Sequence, residues 1–191
     1  MTDDTELHLL ELHAGLEHAA QSAGLLDIAY RTVDSPVGEL LLASTERGIV
    51  RVAYQREGFD DVLQLLATRV SPRVLRSPAR LDKAATELEE YFAGTRRAFD
   101  LPLDFALSHG FRRTVQAILP TIAYGSTATY SQLATAAGSP RAMRAVGSAC
   151  ATNPLPVIVP CHRVLRTDGS LGGYVGGLEA KTTLLGLESA T

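Results

Sequence analysis

The chain has no tryptophan, only two cysteines and two methionines, and just 6% aromatic residues. Two cysteines, Cys150 and Cys161, cannot build a disulfide framework and are too few for a four-cysteine zinc site. No apolar run approaches the ~20 residues that a membrane-spanning helix needs. The opening MTDDTELHLLELH carries acids where an export signal requires basic residues. These absences predict a protein of the reducing cytoplasm, with no metal and no membrane partner, in which a reactive cysteine is thiol or thiolate. Low-complexity tracts are missing as well. With 46% hydrophobic and 20% charged residues over 191 positions, the composition describes one medium globular domain or two small ones.

Negative charge is the scarcest local commodity. The formal net charge is −3, but the charges are segregated. Met1 to Asp104 carries 11 basic and 18 acidic residues, whereas Phe105 to Thr167 carries six arginines and no acid at all. Only Lys181 stands against Asp168, Glu179 and Glu188 in the remainder. A long stretch without carboxylates predicts either a surface that meets an anion, most often a phosphate backbone, or a buried segment from which packing excludes acids.

The first 25 residues read as an amphipathic helix with Leu9, Leu12, Leu16 and Ala19/Ala20 at helical spacing. His8, His13 and His18 recur every five residues, about 140° apart around such a helix, so they do not converge on a metal. Ile28–Val33, Glu39–Ser44 and Gly48–Tyr54 are apolar runs split by turn residues, which predicts a three-stranded antiparallel sheet. Helical periodicity covers Phe59–Val70 and Pro78–Phe92, and Phe99–Phe105 alternates like a strand. The expected organisation is an extension over 1–25, an α+β domain over 26–107, and a mostly α-helical domain over 108–191.

In that last domain Phe111–Ile122 reads as an amphipathic helix. Tyr130–Ala137 and Arg141–Ala149 follow, joined by Gly138-Ser139-Pro140, which supplies a turn glycine, a serine N-cap and a proline at the first helical position. Together they outline a helix-turn-helix. The second helix is slim, with Ala142, Ala145, Gly147, Ser148 and Ala149, and so suits close approach to a duplex or to a neighbouring element.

The chemistry concentrates in Pro154-Leu155-Pro156-Val157-Ile158-Val159-Pro160-Cys161-His162-Arg163-Val164. A β-branched run bracketed by prolines makes a short rigid connector that delivers Cys161 to a fixed place. Its cationic neighbours favour the thiolate, the nucleophilic form, although a lone free cysteine is also commonly a buried inert one. Adjacent side chains in extended chain point opposite ways, so His162 need not touch the sulfur directly, and a water could relay the proton between them.

Val159-Pro160-Cys161-His162-Arg163-Val164, preceded by Asn153-Pro154 and followed by Gly172-Gly173-Tyr174-Val175-Gly176-Gly177, resembles the O6-alkylguanine-DNA alkyltransferases. The resemblance extends through Phe111-x3-Val115, Tyr124-Gly125, Thr129-Tyr130-Ser131-Gln132-Leu133-Ala134, Arg141-x2-Arg144-Ala145-Val146-Gly147 and Lys181-x2-Leu184-Leu185-x2-Glu188. More loosely, Ser35-Pro36-x-Gly38 and Tyr91-Phe92-x-Gly94 are similar to the family's ribonuclease-H-like first domain. The resemblance implies a ribonuclease-H-like α+β domain followed by a winged-helix-like helical domain. It implies a monomeric, cofactor-free repair protein that flips an O6-alkylguanine from duplex DNA and takes the alkyl group irreversibly onto Cys161. Further implied roles are His162 as the base acting through water, Glu188 as its orienting acid, and Asn153 as the shaper of the connector. Tyr130 would protonate guanine N3 and turn the 3′ phosphate, and Arg144 would replace the flipped base. The slim helix, with Arg141, Ala142, Ala145 and Ser148, would lie in the minor groove. Tyr174, Val175, Val164, Gly173 and Gly176 would form the substrate pocket. O4-alkylthymine is a second substrate that the resemblance allows without requiring.

Three positions depart from the pattern: Gln116 stands in place of a usual Trp, Ala123 in place of a proline, and Val175 in place of a serine found in some members. The rival readings are a protein that binds alkylated DNA without repairing it, a cysteine hydrolase, and a regulator using the helix-turn-helix alone. The first lacks the cysteine that this chain has, and the second has no use for a helix-turn-helix.

Overall fold

The computed structural model describes the backbone of residues 2–189 and, apart from residues 2–7 and 10, their side chains. The final two positions of the 108–191 domain expectation lie outside the described residues.

Strand β1 (Ile28–Val33) pairs antiparallel with β2 (Leu40–Thr45), and β2 pairs antiparallel with β3 (Gly48–Tyr54). The meander forms as its sequence pattern predicts, but it is not limited to three strands. Residues Val74–Arg76 form β4, parallel to β1, so the sheet order is β3-β2-β1-β4 and the sheet is mixed. Three residues between Pro72 and Pro78 are too few to show alternation, which hides this strand in the sequence. Strand β2 is central and nearly every residue of it is buried, because both faces of the sheet are covered. Leu41 and Ala43 pack with Ile28, Val50 and Ala53 against Val62 and Leu66 of helix α2 (Phe59–Arg69). On the opposite face, Leu40, Leu42, Val52 and Tyr54 join Leu88 and Tyr91 of helix α3 (Asp82–Phe92). That second core runs without interruption into the helical half through Val115, Leu133, Val146, Leu155 and Leu184. Burying each such aliphatic side chain contributes about 1.5–3 kcal/mol, so one apolar core binds the two halves together.

The outer edge of β3 is covered. Ile49 donates to the Pro102 carbonyl at 2.8 Å and accepts from Asp104, and Val52 donates to the Pro154 carbonyl at 2.8 Å. The segment Phe99–Phe105 is therefore a strap with a single bridge, Ile49 to Leu103, and not the expected strand. Pro102 lacks the N–H that a ladder would need. The bond to Pro154 has a functional consequence, since it anchors the connector that carries Cys161.

The first helix, α1 (Thr2–Ser22), forms, but its expected apolar stripe is not buried. Leu9, Leu12 and Leu16 are 55–61% exposed. The helix meets the body along the edge of that stripe, where the His13 ring nitrogen Nε2 lies 2.7 Å from the Arg76 carbonyl oxygen.

In the helical half, α4 (Gly110–Ile118) precedes α5 (Tyr130–Ala136) and α6 (Met143–Ala151). Helix α5 begins with a capping box, in which Thr129 accepts from the Gln132 amide and Gln132 accepts from the Thr129 amide. The expected start of α6 is corrected. Ser139 makes a turn first, its carbonyl accepting from Ala142 at 2.8 Å, so Arg141 and Ala142 precede the helix and Ser139 does not cap it. Gln116 is fully buried and donates to the Ala149 carbonyl at 2.9 Å, satisfying the end of α6. A two-residue parallel ladder joins β5 (Ala128–Thr129) to β6 (Val164–Leu165), and helix α7 (Gly177–Ser189) closes the fold.

Candidate active site

Residues 153–160 form a folded connector rather than extended chain. Val157 holds φ +72°, a strained setting for a β-branched side chain, costing about 1–3 kcal/mol. Its surroundings enforce it: Val157 is buried, and Val159 donates to the Leu155 carbonyl at 2.8 Å across the turn. Asn153 holds the same turn from inside. Its Oδ1 accepts from the Leu155 amide at 3.1 Å, and its Nδ2 donates to the Val159 carbonyl at 2.8 Å and to Cys161 Sγ at 3.1 Å.

Cys161 is 2% exposed and its thiol is pushed up to about 11 by burial, against the opposing influence of the Asn153 hydrogen bond and the Lys181 charge. The expectation that adjacent His162 and Arg163 favour a resting thiolate is thereby corrected, because both turn to Glu188 instead. The His162 imidazole is held neutral, its pKa lowered by burial despite the carboxylate beside it. Burial disfavours both charged forms.

Glu188 is the hub of the site. Its Oε1 accepts from His162 Nε2 at 2.9 Å, Arg163 Nη2 at 2.8 Å and Tyr91 Oη at 2.7 Å. Its Oε2 accepts from Arg163 Nε at 2.8 Å and the Gly125 amide at 3.2 Å. Although burial opposes ionisation, the His162 and Arg163 hydrogen bonds hold this carboxyl down at about 2. A carboxylate accepting at Nε2 assigns the proton to that nitrogen and leaves His162 Nδ1 as the basic one. Nδ1 is buried and has no protein hydrogen-bond partner among the described residues.

Lys181 is fully buried. Its Nζ donates to the Val164 carbonyl at 2.7 Å and more weakly to the Gly172 carbonyl at 3.4 Å. Its charge and that of Cys161 act on each other, so the cation nearest in effect to the sulfur comes from α7 and not from the neighbouring arginine.

The other candidate residues fall into separate groups. Tyr130, Arg144 and Gly173 line one open cleft together with Gly147, Arg166 and Gly172. A Cβ on Gly172 would lie 2.1 Å from the Tyr130 hydroxyl, so only glycine admits the tyrosine there. Arg141, Arg144, Ala145 and Ser148 are exposed and Ala142 is half-buried, while Val146, Ala149 and Cys150 face the core. Tyr174 packs edge-on to His162 and bonds Tyr54 hydroxyl to hydroxyl at 2.9 Å. Gly176 faces the Tyr54 ring, where a Cβ would come within 2.5 Å. Val175 lines a different cleft, beside Arg51 and Arg112, and Val164 is buried with its carbonyl committed to Lys181. The five pocket candidates thus do not share one cavity wall.

Tyr54, Tyr91 and Lys181 are participants that sequence reasoning does not name, and Arg163 is one that it places beside the sulfur rather than on Glu188. Three lie within motifs that carry the resemblance, and only contacts across the fold reveal what they do. Tyr54 sits at the end of a strand with no signal at all. Among the described residues no group of three or more histidine, cysteine, aspartate or glutamate side chains is placed to hold a metal ion, and no helix is long and apolar enough to cross a membrane.

Residues 110–190 match the family model for the 6-O-methylguanine DNA methyltransferase DNA-binding domain, and residues 28–105 match that for its ribonuclease-like domain. A methylated-DNA–protein-cysteine methyltransferase of Mycolicibacterium paratuberculosis is 40% identical over 161 residues, covering 84% of this chain and 92% of that protein. The constitutive enzyme of Bacillus subtilis is 38% identical over 160 residues, covering 83% and 94%. Among solved structures, Mycobacterium tuberculosis OGT in complex with DNA superposes with a TM-score of 0.75 at 37% identity, covering 85% of this chain and 93% of that one.

Proposed function

The chain belongs to the 6-O-methylguanine DNA methyltransferase family and is a methylated-DNA–protein-cysteine methyltransferase, and from that premise we propose how its own residues carry out direct repair. The substrate is O6-alkylguanine in duplex DNA, reached by flipping the base out of the stack, and the acceptor is Cys161. The observation that carries this reading is the pair of contacts from Asn153 to the Cys161 sulfur and from Glu188 to His162 Nε2, which leave His162 Nδ1 buried and without a protein partner among the described residues.

Burial pushes the Cys161 thiol up to about 11 and so keeps it protonated at neutral pH. Productive attack therefore needs proton removal as the substrate arrives. His162 Nδ1 takes the proton through a bridging water, and ionised Glu188 stabilises the imidazolium that results. The sulfur then displaces the alkyl carbon, the carbon–oxygen bond breaks toward guanine O6, and Tyr130 donates its hydroxyl proton to guanine N3. Burial holds the Tyr130 phenol in its protonated form until that moment. The thioether does not revert, so each molecule acts once.

Arg144 fills the space of the flipped base while the exposed face of α6 lies in the minor groove. Both cysteine and DNA surface belong to the 108–191 segment, and the 26–107 segment braces them. The protein acts as a monomer in the cytoplasm without a cofactor. Duplex DNA carrying a labelled O6-methyl group should transfer the label to the protein in an amount that equals, and never exceeds, the protein present. Repeated turnover would contradict the proposal.

A further inference from the structure

We propose that the cleft between α2 and α4 is a second anion site, which holds the phosphate backbone of the duplex beyond the end of α6. The proposal rests on the reading that α6 meets duplex DNA, and adds a contact made partly by the N-terminal half.

The cleft is lined by Arg51, Arg69 and Arg112, with Ala151, Thr152 and Val175 on its inner side. Its acid, Glu57, is already committed: one carboxylate oxygen accepts from the Tyr54 amide at 2.8 Å and the other from the Arg51 guanidinium. That leaves Arg69, the last residue of α2, and Arg112, near the start of α4. Among the described residues neither guanidinium makes a hydrogen bond or an ion pair, and both are exposed. Two unpaired guanidiniums sharing a concave wall repel one another unless an anion lies between them, and the planar fork of arginine matches phosphate oxygens in pairs.

The position of the cleft selects the occupant. Ala151 lines both this cleft and the one holding Tyr130 and Arg144. Positive surface therefore continues from Arg144 and Arg166, around the C-terminal end of α6, to Arg112 and Arg69. No carboxylate in Phe105–Thr167 interrupts it. Helix α6 has nine residues and is about 13 Å long, much shorter than the ~34 Å of one duplex turn. A duplex seated on α6 overhangs it, and its backbone passes over whatever lies past Ala151. The unusual acid-free stretch noted in the sequence then has a use on both sides of the helix end.

The test measures affinity for an unmodified duplex across salt concentrations, comparing the unsubstituted chain with Arg69→Gln/Arg112→Gln and Arg69→Lys/Arg112→Lys. Each phosphate contact contributes about 0.9 to the slope of log affinity against log salt. The glutamine pair should lower that slope by about 2, with thermal melting unchanged, and the lysine pair should retain it. An unchanged slope in the glutamine pair overturns this site while leaving duplex binding by α6 intact. A lysine pair that loses the slope as fully as the glutamine pair also overturns it, since charge would then not be the cause. Absence of salt-dependent binding by the unsubstituted chain overturns the reading of α6 itself, and this site with it.

Discussion

The Tyr91 hydroxyl on α3 donates to Glu188 Oε1 on α7 at 2.7 Å, so the N-terminal half completes the hydrogen-bond shell of the acid that orients His162. The tyrosine is fully buried, its ring packed among Phe92, Phe99 and Tyr124. A donor to a buried carboxylate contributes about 1.5–3 kcal/mol. Tyr91→Phe keeps the packing and removes only the donor. It should lower the unfolding free energy in denaturant by that amount and slow single-turnover alkyl transfer by less than tenfold, because four other donors still hold Glu188. A variant as stable as the parent would show that the contact is idle.

The same cluster predicts the direction of acid sensitivity. His162 has a lowered pKa in the fold, so the unfolded chain binds its proton first and stability begins to fall as pH drops below about 6.5. Glu188 is also lowered, to about 2, so its contribution is fully present above about 4.5 and is lost as pH falls toward 2. Both act in one direction. Melting temperature should decline from pH 7 to pH 3, and Glu188→Gln should flatten the lower part of that decline while starting from a lower plateau. A parental melting temperature independent of pH over this range would contradict the charge assignments.

Lys181 is buried, has no carboxylate partner among the described residues, and stabilises negative charge on Cys161. Lys181→Met preserves length and removes the charge. Transfer from free O6-benzylguanine should slow by about tenfold, equivalent to one pKa unit at the thiol, and its pH profile should move upward. A slowed reaction with an unmoved profile would assign Lys181 only to holding the Val164 and Gly172 carbonyls.

Much of this architecture is legible in the sequence where local signals suffice. Strands β1 to β3 follow from apolar runs between turn residues, and α5 from the helical run Tyr130–Ala137 ahead of Gly138. Legibility ends where contacts cross the chain. Strand β4 is too short to show a period, and the outward stripe of Leu9, Leu12 and Leu16 obeys a helical pattern that no neighbour covers. Cys161, His162 and Glu188 can be named from their motif, but the motif suggests a thiolate beside two cations. Burial reverses that, and Arg163 turns away to clamp Glu188 from 25 residues distant in sequence. Tyr54 and Tyr91 enter the site only because one core joins both halves.

Arg144 on α6 and Arg141 just before it are both exposed, but of the two only Arg144 lines the cleft with Tyr130. Arg144→Ala should slow repair in duplex DNA far more than transfer from free O6-benzylguanine, because the free base needs no extrusion and so avoids an unstacking cost of a few kcal/mol. Arg141→Ala should show a smaller deficit that fades with added salt, as expected for a charge acting at a distance. Equal losses on duplex and free base would remove the wedge role of Arg144 and with it the minor-groove placement of α6.

The central claim is that Cys161 itself receives the alkyl group, and intact-protein mass spectrometry with peptide mapping after incubation with O6-methylguanine duplex tests it most directly. The account predicts a gain of one CH2 unit located on the peptide containing Cys161, and no gain in Cys161→Ala, which should still bind the duplex. A gain located on Cys150 or any other residue, or a demethylated duplex with no change in protein mass, would contradict it.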